Sequence, residues 1–390
     1  MERRLRRLPD RPALVAIICG LTALAFVGAL LLRGDGDPSR LVHAAPPWTD
    51  ARTAPGSLTV QPADKGFDGQ FFYRIAVSPL SARRTVAGVR FDLRALRNAR
   101  WLYGAMGWAG SAGDRDVVPW ALIGVNSVAA VAVGGLSGAL ARNSGRHALW
   151  GLLLALYPGF AYSLSLDTSE LVAAAFLLAA LLALRRERWT VAAIAFTLAV
   201  LTRDTTVVVP AGIAVAAMWD RWRHRGPDAV RRLSASVTPI VMFAIWQVVQ
   251  RIRFGALPLT SSGDNNLTAP FGGLLHELGR SVPPSGGTEA FRLLSAIVLL
   301  GVIAAALGAM RGSVAPLAEK LAWVPAVAVV ALLNSYLWSG ATAFMRAGTE
   351  AFLLSGLVLL GSRRRWTELA ALPVGGLWLL TVVAQLGKAG

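Results

Sequence analysis

Apolar runs of membrane-crossing length recur along this 390-residue chain, and no other feature limits its folding as much. A helix needs about 20 apolar residues to cross a hydrocarbon core about 30 Å thick. Runs of this kind, some of them shorter, lie at 13–32, 117–140, 148–165, 169–185, 189–202, 206–219, 233–250, 291–310, 321–339, 348–362 and 367–386. With 55% hydrophobic residues, 16% charged residues and a mean hydropathy of +0.53, the chain falls outside the range of soluble domains. The expected fold is all-α, a polytopic transmembrane bundle of about 11 spans.

Basic clusters set the expected orientation. RRLRR (3–7), RRER (185–188), RWRHR (221–225) and RRR (363–365) mark cytoplasmic connectors. Residues 1–12 then form a cytoplasmic amino terminus and 13–32 the first span. That run exceeds a signal-peptide core and lacks a small-residue cleavage site close behind it, so it reads as an uncleaved anchor. All four clusters share one side if 189–219 is a short hairpin with TRDTT (202–206) at its apex, which leaves the tail 387–390 outside. The net charge of +17 would suggest nucleic acid in a soluble chain; here the connectors account for much of it, and no nucleic-acid partner is expected. The single cysteine, Cys19, excludes a disulfide framework, and His43, His147, His224 and His276 lack zinc-ligand spacing. Basic residues that are nearly all Arg, among many Ala and Gly, suggest a bacterial chain and hence a bacterial plasma membrane.

Two outer connectors are long, 33–116 and 251–290, the second lying within the remaining bundle at 117–386. The stretch DGDPSRLVHAAPPWTDARTAPGS (35–57) has a composition that fits disorder. Residues 67–108 do not: FDGQFFYRIAVSPL is followed by RFDLRALRNARWLYGAMGWA (90–109). The latter reads as an amphipathic helix, with Leu93, Leu96, Trp101 and Leu102 apolar and Arg94, Arg97 and Arg100 polar, lying in the membrane interface.

Ionisable groups at membrane depth are costly and are candidates for function by default. Asp68, with Asp92, Arg97 and Arg100, belongs to the first connector. Asp167 and Glu170 occupy a tight turn in SLSLDTSE (163–170), spaced to share one helix face. Arg203 and Asp204 sit at the hairpin apex, whose arms of about 14 residues reach only about 21 Å each. Arg251, Arg253 and Arg346 end later spans. Plainer readings exist for each: a helix amino terminus for Asp167 and Glu170, a self-neutralising pair for Arg203 and Asp204, lipid headgroups for the connector arginines, and an Asp-Gly turn for Asp68. The agreement of all these groups on one side is the stronger signal. Carboxylates and arginines at an outer-leaflet cavity suit sugar transfer from a lipid-linked donor. A carboxylate takes the acceptor's proton, and arginines hold the lipid phosphate. Cytoplasmic nucleotide sugars do not reach that face, so a polyprenyl-phosphate sugar is the expected donor, and a lipid or glycan the acceptor.

At these residues the chain resembles membrane glycosyltransferases of the GT-C class, and most of all the bacterial group related to PIG-V-type mannosyltransferases and cell-surface glycopolymer formation proteins. The resemblance runs in order through FDGQFFYRIAVSPL (67–80), residues 90–109, ALYPGFAYSLSLDTSELVAAAFLLAALL (155–182) and AVLTRDTT (199–206). Weaker echoes are RIRFGALP with NNLTAPFGG (251–273) and Arg346. It implies a GT-C-like bundle that transfers a mannose-like sugar to the cell envelope, with inversion. It also implies an acidic residue of the first outer connector at the active site, matched by Asp68. Asp167 or Glu170 would position a sugar, and Arg97, Arg100, Arg203 and Arg346 would bind the donor phosphate. Asp92, Asp204, Gln70 and Tyr73 would support them, Asp204 by orienting Arg203. Similar proteins often carry Glu where Asp204 stands and Tyr where Leu96 precedes Arg97. The first connector's core motifs hold no Asp-x-Asp, which gives a metal-dependent mechanism no support while leaving a divalent metal open; no cofactor is expected. A transporter or lipid-linked-sugar flippase is the rival class, expected to show internal repeats and interrupted helices. A non-catalytic scaffold of an envelope assembly complex is the third reading.

Overall fold

The computed structural model describes residues 8–62, 66–223, 227–261 and 266–388. The basic cluster at 3–7, Lys65, His224 with Arg225, residues 262–265 and the end of the tail at 389–390 lie outside the described residues. The architecture is all-α. After α1 (Pro12–Arg33), a long connector carries α2 (Gly69–Val77), the small hairpin β1 (Thr85–Val86) and β2 (Val89–Arg90), α3 (Arg94–Ala99) and α4 (Trp101–Gly110). Then come α5 (Val118–Asn143), α6 (Leu152–Ala155), α7 (Pro158–Ser165), α8 (Glu170–Arg185), α9 (Trp189–Thr202), α10 (Val208–Arg223) and α11 (Pro227–Phe254). A second connector holds α12 (Gly272–Ser281). The chain ends in α13 (Gly287–Ala309), α14 (Leu317–Leu332), α15 (Ser335–Trp338), α16 (Ala341–Ala347), α17 (Thr349–Leu360) and α18 (Ala371–Lys388).

Each expected apolar run falls on helix, but the expected number of crossings is not confirmed. Among the described residues, five helical stretches are long and apolar enough to cross a membrane: Pro12–Arg33, Val118–Asn143, Asp228–Phe254, Gly287–Gly312 and Trp366–Lys388. Two further runs are helix pairs bent by 61° (Ala148–Ala155 with Pro158–Ser165) and 60° (α16 with α17), giving up to seven candidate spans. The first bend falls at Pro158, which supplies no backbone donor and restricts the residue before it. The second falls at Gly348. By contrast α8, α10 and α14 have 16 residues and α9 has 14. At 1.5 Å per residue such helices reach about 21–24 Å, short of the core of about 30 Å.

Small residues let the helices approach. At Gly134 on α5 an added Cβ would stand 2.8 Å from both the Cys19 Sγ and the Val15 carbonyl of α1, so the α1–α5 seam depends on the missing side chain. The arms of the expected 189–219 hairpin, α9 and α10, both pack on α11, and α9 also on α8 and α10 on α14. On the side of the RRER cluster, Arg185 meets Glu319 at the start of α14 through two 2.6 Å hydrogen bonds and donates to Ser144 at 2.9 Å.

Two expectations for the first connector are corrected. Residues 35–57 are folded: Asp37 accepts from Ser39 at 2.8 Å, and Leu41, Val42, Ala44 and Ala45 are buried. Burial of those four apolar side chains offsets the ordering that the polar composition argued against. Residues 90–109 form two helices broken at Arg100 instead of one interfacial helix. α3 packs on α11 and α4 on α2 and α5, and Arg97 and Arg100 turn toward carboxylates rather than outward.

Candidate active site

Asp68 stands immediately before α2, whose apolar face fixes the site. Gln70, Phe71, Phe72, Tyr73 and Ile75 are all buried, so the helix is clamped rather than laid on a surface. Gly69 at its first position lies against backbone: an added Cβ would be 2.6 Å from the carbonyl oxygens of both Val42 and Leu166. Gly69→Ala is therefore expected to displace Asp68. Its thermal unfolding temperature should fall, and any activity that depends on Asp68 should fall by more than the lost folded fraction.

Asp68 accepts from two guanidiniums, Arg97 through Oδ1 at 2.7 Å and Arg346 through Oδ2 at 2.8 Å. Arg97 also holds Asp92 with hydrogen bonds of 2.8 and 2.6 Å. Arg346 holds Glu170 at 2.9 Å from Nε. Glu170 in turn lies 3.9 Å from Arg203, which reaches both oxygens of Glu350 at 3.3 Å. Thr205 and Thr206 donate to Glu350 at 3.1 Å each. Beside this chain Arg100 donates to Asp204 at 3.0 Å. One network thus joins the first connector (Asp68, Asp92, Arg97), the start of α8 (Glu170), the apex after α9 (Arg203) and the α16–α17 bend (Arg346, Glu350).

The network is graded in exposure. Asp68 keeps 22% of its side chain accessible and Arg100 20%, whereas Glu170 keeps 2% and Glu350 5%. The accessible half faces the surface and the buried half packs beneath helices. Burial alone would raise the Asp68 carboxyl, but the charges of Arg97, Arg346 and Arg100 outweigh it and hold the group well below the usual carboxylate range. The same neighbours keep the Arg97 guanidinium firmly charged despite its burial, chiefly through Asp68 and Asp92.

The aromatic cluster around Asp68 serves these guanidiniums. Arg97 lies 4.2 Å over the Phe71 ring and Arg346 4.9 Å over Phe67. Phe72 packs edge-on against Tyr103 at 5.1 Å. Phe71 and Phe72 are buried within the protein, so they do not anchor the connector in a lipid interface.

Several expected members take other places. Asp167 is fully buried with φ +44°, and neither of its carboxylate oxygens has a hydrogen-bond partner among the described residues. Burial pushes this carboxyl well above its ordinary range; Glu170 alone of the pair joins the network. Asp204 bonds to Arg100, and Arg203 is oriented instead by Glu350 and Glu170, because the backbone extends at Arg203 and sends the two neighbours apart. Gln70 accepts from Thr49 at 2.7 Å and ties down the folded connector. Tyr73 is buried near Ser57 and Asp116, and burial pushes its phenol up to about 12. Arg253 bonds to the Leu80 carbonyl at 2.8 Å, and Arg251 is exposed. Glu350 was not anticipated; its signal was an acidic residue opening an apolar helix four positions after Arg346. Among the described residues no group of three or more His, Cys, Asp or Glu has the arrangement to hold a metal ion.

Fold and site together define an all-helical protein with several membrane-length apolar helices and an arginine–carboxylate network where its first long connector meets two helix ends and a helix bend. No protein-family model, curated protein or solved structure matches the chain.

Proposed function

We propose that the protein is a GT-C-type membrane glycosyltransferase, moving a mannose-like sugar from a polyprenyl phosphate to a cell-envelope acceptor on the outer face of a bacterial plasma membrane. The observation that carries this reading is the double hold on Asp68 by Arg97 and Arg346 at the accessible edge of the network. A phosphate ester binds to the same kind of guanidinium that holds this carboxylate. A donor phosphate that takes over Arg97, Arg100 and Arg346 would release Asp68 to an acceptor hydroxyl. The acceptor oxygen then attacks the anomeric carbon, the bond from that carbon to the phosphate oxygen breaks, and the lipid phosphate leaves with the electron pair. The proton passes to Asp68. A single displacement of this kind inverts the anomeric centre. Glu170, Arg203 and Glu350 position the others from beneath, and Asp92 and Asp204 orient Arg97 and Arg100.

The pH dependence follows from the charges. A general base acts when deprotonated, and the folded carboxyl of Asp68 lies below its ordinary value of about 3.9. Transfer is therefore expected to show no acid limb from Asp68 between pH 8 and pH 5. The stability that Asp68 contributes has the same sign: present above the ordinary value, lost only as pH falls through the depressed one. Rates at donor and acceptor concentrations well below saturation, which report the free enzyme, check it across that range, and a loss near pH 6 removed by Asp68→Asn would contradict it.

The helix bends favour a second reading, a transporter or flippase. Tyr157 at the first break donates to the Met345 carbonyl beside the second, and its ring stacks on Phe352 at 4.2 Å. Two interrupted helices crossing next to buried charges is an arrangement used for substrate sites in carriers. Radiolabelled polyprenyl-phosphate sugar in proteoliposomes separates the two: covalent transfer to an acceptor supports the enzyme, and movement between leaflets without transfer supports the carrier.

A further inference from the structure

A cavity of about 460 Å³ is lined in part by Phe67, whose ring also meets Arg346 of the ion-pair network. It is bounded by the end of α1, the first connector, the end of α7, α16 and the end of α18. Phe67 is its shared wall: the ring lines the cavity, and Arg346, which holds Asp68, lies 4.9 Å from the ring centroid. Thr342 lines the cavity one helical turn before Arg346 on α16. The cavity and the network that holds Asp68 therefore share Phe67 and α16.

The lining has a mixed chemistry. Gln61, Thr342 and Gln385 bring amides and a hydroxyl, Phe67 brings an aromatic face, and Arg40 and Lys388 bring cations, with no carboxylate among the described lining residues. Arg40 also meets Asp35 at 3.0 Å, an exposed contact of the kind that contributes little and exchanges readily. Gln385 is fixed by accepting from Ser165 at 3.1 Å. A ligand suited to this lining has hydroxyls for the amides, C–H faces for the ring and an anionic group for the two cations. We infer that this cavity is the acceptor subsite and takes an anionic saccharide, phosphorylated or carboxylated. The assignment as an acceptor site rests on the glycosyltransferase reading; the binding of an anionic saccharide does not. A saccharide held here presents a hydroxyl to Asp68 past the edge of the Phe67 ring.

Calorimetry on the full chain in phosphatidylcholine nanodiscs tests the inference, with mannose 6-phosphate as probe and mannose as neutral control. The wild type is expected to bind the phosphorylated sugar more tightly than mannose. Arg40→Gln/Lys388→Gln should weaken that binding at least about tenfold, the effect of losing one charge-assisted contact of about 1.4 kcal/mol. Arg115→Gln, an exposed cation outside the cavity, should leave it unchanged. No binding, equal binding of mannose, or indifference to the double substitution overturns the inference. So does loss of sugar binding in phosphatidylglycerol nanodiscs, which would assign the cations to a lipid headgroup. Binding that responds to the double variant in a protein that transfers no sugar sinks the enzyme reading and leaves the saccharide site. Transfer without such binding sinks the site alone.

Discussion

Asp68→Asn is expected to lower sugar transfer by about 10²–10⁴-fold, the contribution of a positioned general base. The asparagine keeps the shape of the side chain and loses the charge that Arg97 and Arg346 share. Neither arginine is stranded, because Arg97 keeps Asp92 and Arg346 keeps Glu170. The stability cost should then stay within the about 1.5–3 kcal/mol of a hydrogen bond to a charged group. Transfer rate per folded molecule, measured beside thermal unfolding, separates the two effects. A base role gives a large loss of rate in a folded protein, with partial recovery in Asp68→Glu. A purely structural role gives parallel losses of rate and folded fraction.

Arg185→Met should be the most destabilising of the single substitutions considered, by about 3–5 kcal/mol for a buried ion pair that loses one member. Arg185 and Glu319 retain only 5% and 4% of their side-chain surface, and two 2.6 Å hydrogen bonds join them. The methionine leaves the Glu319 carboxylate buried without its guanidinium. Replacing both, Arg185→Met/Glu319→Leu, removes the stranded charge and should recover most of the loss. Unfolding of the purified chain in detergent provides the comparison. Equal midpoints for the wild type and the single variant would show that the pair adds nothing to the packing of α8 on its neighbours.

Much of the helical layout was legible, because apolar runs of this length permit no other element. The number of crossings was not. Helix length and bending depend on packing that no local pattern records, as at Pro158, where one run becomes two short helices 61° apart. At the site, Asp68, Glu170, Arg97, Arg203 and Arg346 were recognisable as charges too costly to leave unpaired near a membrane, and the structure joins all five. Their pairing was less visible. An extended backbone at Arg203 sends Asp204 to Arg100, and Glu350, which was not singled out from the sequence, meets Arg203 only through the folding of α16 and α17. Asp167 had the same surface features as Glu170, yet a left-handed backbone turns it away from the arginines. The connector 35–57 misled for a compositional reason: its apolar residues are few, but Leu41, Val42, Ala44 and Ala45 are all buried.

The central claim is tested most directly by incubating the purified wild-type chain with radiolabelled polyprenyl-phosphate mannose and an envelope lipid extract. The account predicts that label moves to an acceptor and that Asp68→Asn, run alongside, nearly abolishes the movement. Silence of the wild type across a panel of polyprenyl-phosphate sugars would contradict the enzyme, and undiminished transfer by Asp68→Asn would contradict its proposed base.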